Sequence, residues 1–335
     1  MHSKKLVSIA LLGLLAIVLA ACAGAAGDTG PAGPAGVAGP AGAQGPAGEA
    51  PSATDLACTE CHNDTTVIAG KAAAWDESLH GTGESYVRGT SASCAGCHSG
   101  GAFSAMVAAG LNPSEVEAGD PDPTRQDCRA CHAIHTTFTG DDWALETTDP
   151  VTFYAFEEQV FDGGEGNLCV NCHQPRRAIA EAVDGMIEIT SSHWGPHHGP
   201  QSTMLLGLGG AGVEGRASAH ALMVEDTCVS CHLGEGDSHS FEPDEASCEG
   251  CHAELEDFDY NGVQTEVEAL AAELGEKLET AGLLHDGHPN PGTYPEAQAQ
   301  AAWNWIYITL EDGSKGVHNS AFTIAMLEAG LAAFE

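Results

Sequence analysis

The sequence predicts a mainly α-helical chain with extensive loops and almost no sheet, and three observations predict it. The unit Cys-x-x-Cys-His occurs six times between positions 58 and 252. The first cysteines of these units follow one another at intervals of 36, 34, 41, 59 and 20 residues, too close for each unit to have a hydrophobic core of its own. Aromatic residues make up only 6% of the chain while Gly accounts for 42 of its 335 residues, a composition suited to short helices and turns.

The first unit is Cys58, Cys61 and His62, and the second is Cys94, Cys97 and His98. The third is Cys128, Cys131 and His132, and the fourth is Cys169, Cys172 and His173. The fifth is Cys228, Cys231 and His232, and the sixth is Cys248, Cys251 and His252. Two thiols three positions apart on one helical turn can each add to a vinyl group of the same haem. The histidine after the second cysteine then lies under the ring and binds the iron. A Cys-x-x-Cys pair alone is also compatible with a redox disulfide or half of a zinc site. Neither requires a histidine after every second cysteine, and with 17 histidines in 335 residues six such placements do not arise by chance. The expectation is six haem c groups, which themselves supply much of the apolar core. The six pairs use twelve of thirteen cysteines; the remaining one is Cys22.

The chain divides into three parts. Residues 1–21 read as a signal peptide: Lys4 and Lys5 precede the apolar run Leu6 to Ala20, which is shorter than the roughly 20 residues of a spanning helix. The run ends in Leu19-Ala20-Ala21-Cys22, which resembles a bacterial lipobox and implies cleavage before Cys22 and a lipid on its sulfur. Ala23, where an aspartate often marks inner-membrane retention, favours an outer membrane lipoprotein, facing periplasm or exterior. Residues 22–51 hold the lipidated cysteine and a collagen-like tether, with Gly at every third position from Gly24 to Gly48. An extended single-chain tether is the simpler reading; trimerisation through it is the sharper one. Residues 52–335 form the haem-carrying domain.

Three longer helices are expected after the last clamp. Val263, Val267, Leu270, Leu274 and Leu278 fall on one helix face. Pro295 suits a first helical position, with Trp303, Ile306 and Leu310 as the following apolar stripe. A last helix is expected from about Asn319 to Ala333. Trp303, Trp305 and Tyr307 read as packing residues rather than electron relays.

The histidine count bears on whether each iron is saturated. Ten histidines remain after His2 and the clamps: His80, His135, His193, His197, His198, His220, His239, His285, His288 and His318. Six distal ligands are needed if every iron is bis-His. His80, His135, His220, His239 and His318 have contexts that favour ligation; one more is expected from SSHWGPHHGPQ, where His198 is chosen. His285 and His288, in HDGHPNP, read as loop residues.

With the six clamps, the segments HWGPHHGPQ at 193–201, HSFEPDEASCEGCHAELEDFDYNGVQTEV at 239–267 and GVHNSAF at 316–322 make residues 55 to 335 resemble the multihaem c-type cytochromes. The resemblance is to the broad group containing ammonia-forming nitrite reductases and octahaem reductases. It implies a mainly α multihaem cytochrome c fold wrapped around a chain of six covalent haems, stacked and T-shaped haem pairs, and bis-His ligation through histidines such as His239 and His318. The chain departs from the nitrite reductases in having no clamp with lysine in place of histidine, which favours an electron carrier over an enzyme. It also resembles lipidated or surface-exposed cytochromes of metal-respiring bacteria, some of which form haem filaments.

Net charge is −37, and removal of Lys4 and Lys5 takes it to −39. This excludes nucleic acid as an electrostatic partner and favours basic redox proteins or cationic and mineral electron acceptors. The expectation is therefore a lipid-anchored envelope cytochrome that transfers electrons through six bis-His haems in anaerobic or extracellular respiration. One alternative is a reductase of nitrite, hydroxylamine or a sulfur oxyanion, with Arg176 and Arg177 as the place to look for an anion site. The other is a subunit of a conductive cytochrome filament.

Overall fold

The computed structural model describes residues 66–335 apart from His198, Glu235, Asp237, Glu254 and Glu256. Several residues expected to carry function fall outside that set. Cys22 and the Gly-x-y segment lie outside the described residues, as does His198. So does the whole first clamp: Cys58, Cys61 and His62 were expected to hold a haem, and the structure describes none of the three.

The part up to the fifth clamp is built from short helices: α1 (Thr66–Glu77), α2 (Leu79–Thr82), α3 (Ala92–His98), α4 (Gly100–Ala108), α5 (Cys128–Cys131), α6 (Asn167–Val170), α7 (Gln201–Leu206), α8 (Ala219–Met223) and α9 (Cys228–His232). Helices this short are not stable alone. Local caps define several starts: the side chains of Ser78, Ser99, Asp127 and Ser218 accept from the backbone N–H of Gly81, Ala102, Arg129 and Ala221.

Three long helices follow, α10 (Val263–Thr280), α11 (Glu296–Ile306) and α12 (Ser320–Ala332). In α10 the expected face buries Val267, Leu274 and Leu278. Two details of the sequence reading are corrected. Pro295 is not inside the helix: its ψ of 139° is extended, it closes a strand, and α11 starts at Glu296. Leu310 does not continue the stripe of Trp303 and Ile306, because the winding loosens to a π-helix over Tyr307–Asp312. The wider turn rotates Tyr307 and Ile308 inward and leaves Leu310 47% exposed.

Sheet among the described residues consists of two-stranded antiparallel pairs: β1 (Val151–Thr152) with β2 (Val160–Phe161), β3 (Met186–Ile189) with β6 (Gly292–Pro295), and β4 (Leu284–His285) with β5 (His288–Pro289). The β3–β6 ribbon ties the segment after the fourth clamp to the start of α11.

The largest apolar core lies here. Leu274 and Leu278 from α10, Ile187 and Ile189 from β3, Trp303 and Ile306 from α11, and Met326 and Leu327 from α12 are buried in one cluster with Trp194 and Met204. Trp303 meets Trp194 edge-on at 5.1 Å and donates its Nε1–H to the Gly209 carbonyl at 3.0 Å. Trp305 donates to the Ala271 carbonyl at 2.8 Å, and the Tyr307 hydroxyl donates to the Leu208 carbonyl at 3.0 Å. These aromatic residues therefore act in packing, each with its polar atom paired. Around clamps two to five the cores are small: one centres on Val151, Phe153, Phe161 and Val170, another on Phe103, Met106, Ala130 and Leu168.

Candidate metal centres

Each described Cys-x-x-Cys-His unit lies on a short helix or a turn. In three of them the histidine N–H closes the turn on the carbonyl of the first cysteine: His132 on Cys128, His173 on Cys169 and His252 on Cys248, each at 2.9 Å. In the sixth unit the Cys251 N–H also turns back onto the Cys248 carbonyl, at 3.1 Å. The second clamp lies within α3, and the fifth forms α9.

The ten described cysteines are free thiols. Cys128 and Cys251 are exposed, and the other eight are partly buried. Cys248 of the last clamp lies in the wall of a cavity. Burial pushes Cys131 up to about 12. Among the described residues, no three His, Cys, Asp or Glu side chains converge as a zinc site requires.

The histidines pair instead. His80 stands opposite His173 with ring centres 6.2 Å apart, and His197 opposite His98 at 6.4 Å. His239 stands opposite His132 at 6.2 Å, His220 opposite His252 at 6.0 Å, and His318 opposite His232 at 6.4 Å. Every pair joins one clamp histidine to one histidine remote from that clamp. A metal–nitrogen bond is about 2.0 Å and an imidazole nitrogen lies about 1.1 Å from its ring centre, so two imidazoles on opposite sides of one metal ion have centres about 6.2 Å apart.

Ring tautomers agree with this use. The Nδ1–H of His132 donates to the Trp143 carbonyl at 2.7 Å, that of His220 to the Val317 carbonyl at 2.7 Å, and that of His232 to the Phe241 carbonyl at 2.8 Å. His173 Nδ1 lies 3.3 Å from Gln201 Oε1. A proton fixed on Nδ1 leaves the Nε2 lone pair for a metal. Burial lowers His80 to about 4, with help from His173, and it lowers His232. His318 is the exception. Burial pulls it down, but the carboxylate of Asp312 outweighs that and raises it.

Three observations bear on whether a haem would fit. A mostly apolar cavity of about 650 Å³ has His220, His252 and Cys248 in its wall, together with Phe258, Tyr260 and Phe322. Leu79 beside His80, and Leu222 and Met223 beside His220, are 86%, 73% and 79% exposed, apolar surface that a porphyrin face can cover. Arg176 approaches His197 Nε2 with Nη1 at 3.4 Å, while its buried Nε has no acceptor among the described residues, a donor suited to a haem propionate. Arg177 is exposed.

The centres adjoin one another. The Cys97 thiol donates to the Asn171 carbonyl at 3.7 Å, beside the fourth clamp, and Thr227 Oγ1, next to the fifth clamp, donates to the Gly163 carbonyl at 3.1 Å on the segment that leads into the fourth. Ser247 Oγ donates to the Cys231 carbonyl at 3.4 Å, linking fifth and sixth. Glycines make the fourth–fifth approach possible: a Cβ at Gly166 would lie 2.2 Å from Thr227 Oγ1. Phe241 meets three centres. Its ring lies 4.7 Å from His80 and 5.9 Å from His239, and its carbonyl holds His232.

Of the distal ligands expected from sequence, the structure brings His80, His220, His239 and His318 opposite clamp histidines. His198, the residue chosen from the 193–198 group, lies outside the described residues, and it is His197 that faces His98. Nothing in the sequence separates two adjacent histidines. His135 stacks on Phe138 at 5.5 Å, and Asp142 accepts from its backbone N–H at 2.9 Å. His193, His285 and His288 are exposed.

No protein-family model matches the chain, and no curated protein matches it. Two solved structures are similar to it. The outer cell wall cytochrome OcwA aligns at 21% identity with a TM-score of 0.47, covering 78% of this chain and 50% of that one. An undecahaem cytochrome from the S-layer of Carboxydothermus ferrireducens aligns at 20% identity with a TM-score of 0.41, covering 72% of this chain and 38% of that one. The chain thus spans half or less of the length of these structures. Among the described residues no helix is long and apolar enough to cross a membrane.

Proposed function

We propose that this chain is an exported, lipid-anchored multihaem cytochrome c that carries electrons through six bis-His haems at the cell envelope. The observation that carries the reading is the set of five histidine pairs, each joining a clamp to a remote histidine at 6.0 to 6.4 Å. Bound haem supplies one-electron ferric–ferrous chemistry at low potential when both axial ligands are histidine. The chain's residues do the rest. The cysteines hold each group by thioethers, with Cys61 and Cys251 as the second attachment points of the first and last groups. The clamp histidines would ligate the metal together with His80, His197, His220, His239 and His318, which would exclude substrates from it.

In this reading His135 is a further distal ligand, and Cys58 and Cys61 hold the first group with His62 as its proximal ligand. His193, His285 and His288 are exposed, and His197 takes the position opposite His98. The contacts between neighbouring clamp segments supply short routes from the second centre to the fourth, fifth and sixth. The strongly acidic surface suits basic redox proteins or cationic and mineral acceptors. Cys22 is the membrane anchor in this reading, with the outer membrane as its site.

The test is to mature the full chain with haem and count haem per chain by the pyridine haemochrome method. Six per chain, with Cys22→Ser released from the membrane fraction, supports the reading. Fewer than six haems removes it.

A further inference from the structure

The His318 contact differs in kind from the other Nδ1 contacts. His132, His220 and His232 donate to backbone carbonyls, and His173 faces an amide oxygen. His318 Nδ1 donates to Asp312 Oδ1 at 2.7 Å, and the Asp312 side chain is wholly buried. The carboxylate is built into the fold. It closes the π-helical turn Tyr307–Asp312 before Gly313, whose φ of 68° reverses the chain. Asp312 Oδ2 accepts from the backbone N–H of Ser314 at 3.1 Å and from its hydroxyl, while Ser314 Oγ accepts from the His318 N–H at 3.3 Å. Lys315 does not neutralise it, because that ammonium pairs with Glu268 at the surface.

A carboxylate out of water is costly unless something positive or strongly donating faces it. Here that group is the imidazole that stands 6.4 Å from His232. We infer that Asp312 is a positioning residue that turns His318 Nε2 toward the metal and, through its buried charge, lowers the reduction potential of the fifth centre. The inference rests on the bis-His haem reading above. A carboxylate on the second nitrogen of a ligand histidine fixes its tautomer and makes it a stronger donor. Its negative charge favours the more positive oxidation state, and does so most where water is excluded. The π turn fits this role, since such turns recur at functional sites and here one delivers the carboxylate to the ring.

The test uses the matured full-length protein and compares wild type, Asp312→Asn, Asp312→Glu and Ser314→Ala. Haem content is counted first; absence of haem from the wild type would refute the haem reading itself. Reductive titration followed by visible absorption, with EPR of the oxidised protein, then reads the potentials and ligation. The expected result for Asp312→Asn is full haem content and low-spin ligation, with one component favouring the reduced state at least tenfold more, a rise of about 59 mV or more for one electron. Ser314→Ala, which keeps the charge, shifts less, and Asp312→Glu returns toward wild type. No shift in Asp312→Asn with all irons low-spin would overturn the inference while leaving the haem reading intact. Should Asp312→Asn convert one iron to high spin, recovery of low-spin ligation in Asp312→Glu supports the positioning role, and failure to recover contradicts it.

Discussion

Replacing His197 by alanine tests the pairing geometry most sharply, because the neighbouring His198 is the natural control. His197 stands 6.4 Å from His98, the separation two imidazoles take across one metal ion, and it comes from a segment about a hundred residues downstream. His197→Ala removes one axial ligand of the second centre and no other. About one iron in six is therefore expected to turn from low to high spin, with the other signals unchanged. EPR of the oxidised protein, integrated against a haem standard, measures the effect. His198→Ala is expected to leave every iron low-spin. High-spin signal in His198→Ala, with none in His197→Ala, would refute the reasoning.

Three further outcomes follow from the packing. Leu274→Ala empties a fully buried position between α10 and α12, where Gly330 lies against it; unfolding should show a loss of about 2–5 kcal/mol with haem content unchanged. Gly166→Val places atoms where Thr227 Oγ1 already lies, at the meeting of the fourth and fifth clamps, and is expected to lower stability by about 1–3 kcal/mol and perturb the spectra of those two centres. Asp142 is pushed up by burial, but hydrogen bonds from the Thr137 hydroxyl and the N–H groups of Thr137, Phe138 and His135 prevail and hold it below the ordinary carboxylate value. Its contribution is therefore complete above the unfolded value of about 3.9 and is lost as pH falls through the lower folded value. Asp142→Asn should lower stability at pH 6 and flatten that acid-side loss, as followed by urea unfolding at several pH values.

The clamps are legible because their chemistry is local: two thiols and an imidazole on one turn stand within a single short stretch of sequence. The partners across each ring are not, because tertiary folding selects them. His220 lies eight residues before the fifth clamp yet faces His252 of the sixth, and His239 lies nine before the sixth yet faces His132 of the third. Sequence proximity carries no information about these pairings. The helix over Val263–Thr280 is legible from its apolar face. Leu310 misleads because an α-helical period does not continue through a π turn, and Pro295 because the same φ serves a strand end as well as a helix start. The pairing of β3 with β6 joins segments about a hundred residues apart and leaves no local mark. Asp312 is invisible for a similar reason: its meaning comes from the turn that brings it to His318.

The most direct measurement is low-temperature EPR of the oxidised, haem-loaded protein, without and with nitrite or hydroxylamine, alongside a haem count. The account predicts six haems per chain, all low-spin, with signals that added ligand does not change. A high-spin signal equal to about one haem in six that shifts on adding nitrite or hydroxylamine would contradict it, because an iron with an open position belongs to an enzyme and not to a saturated electron carrier.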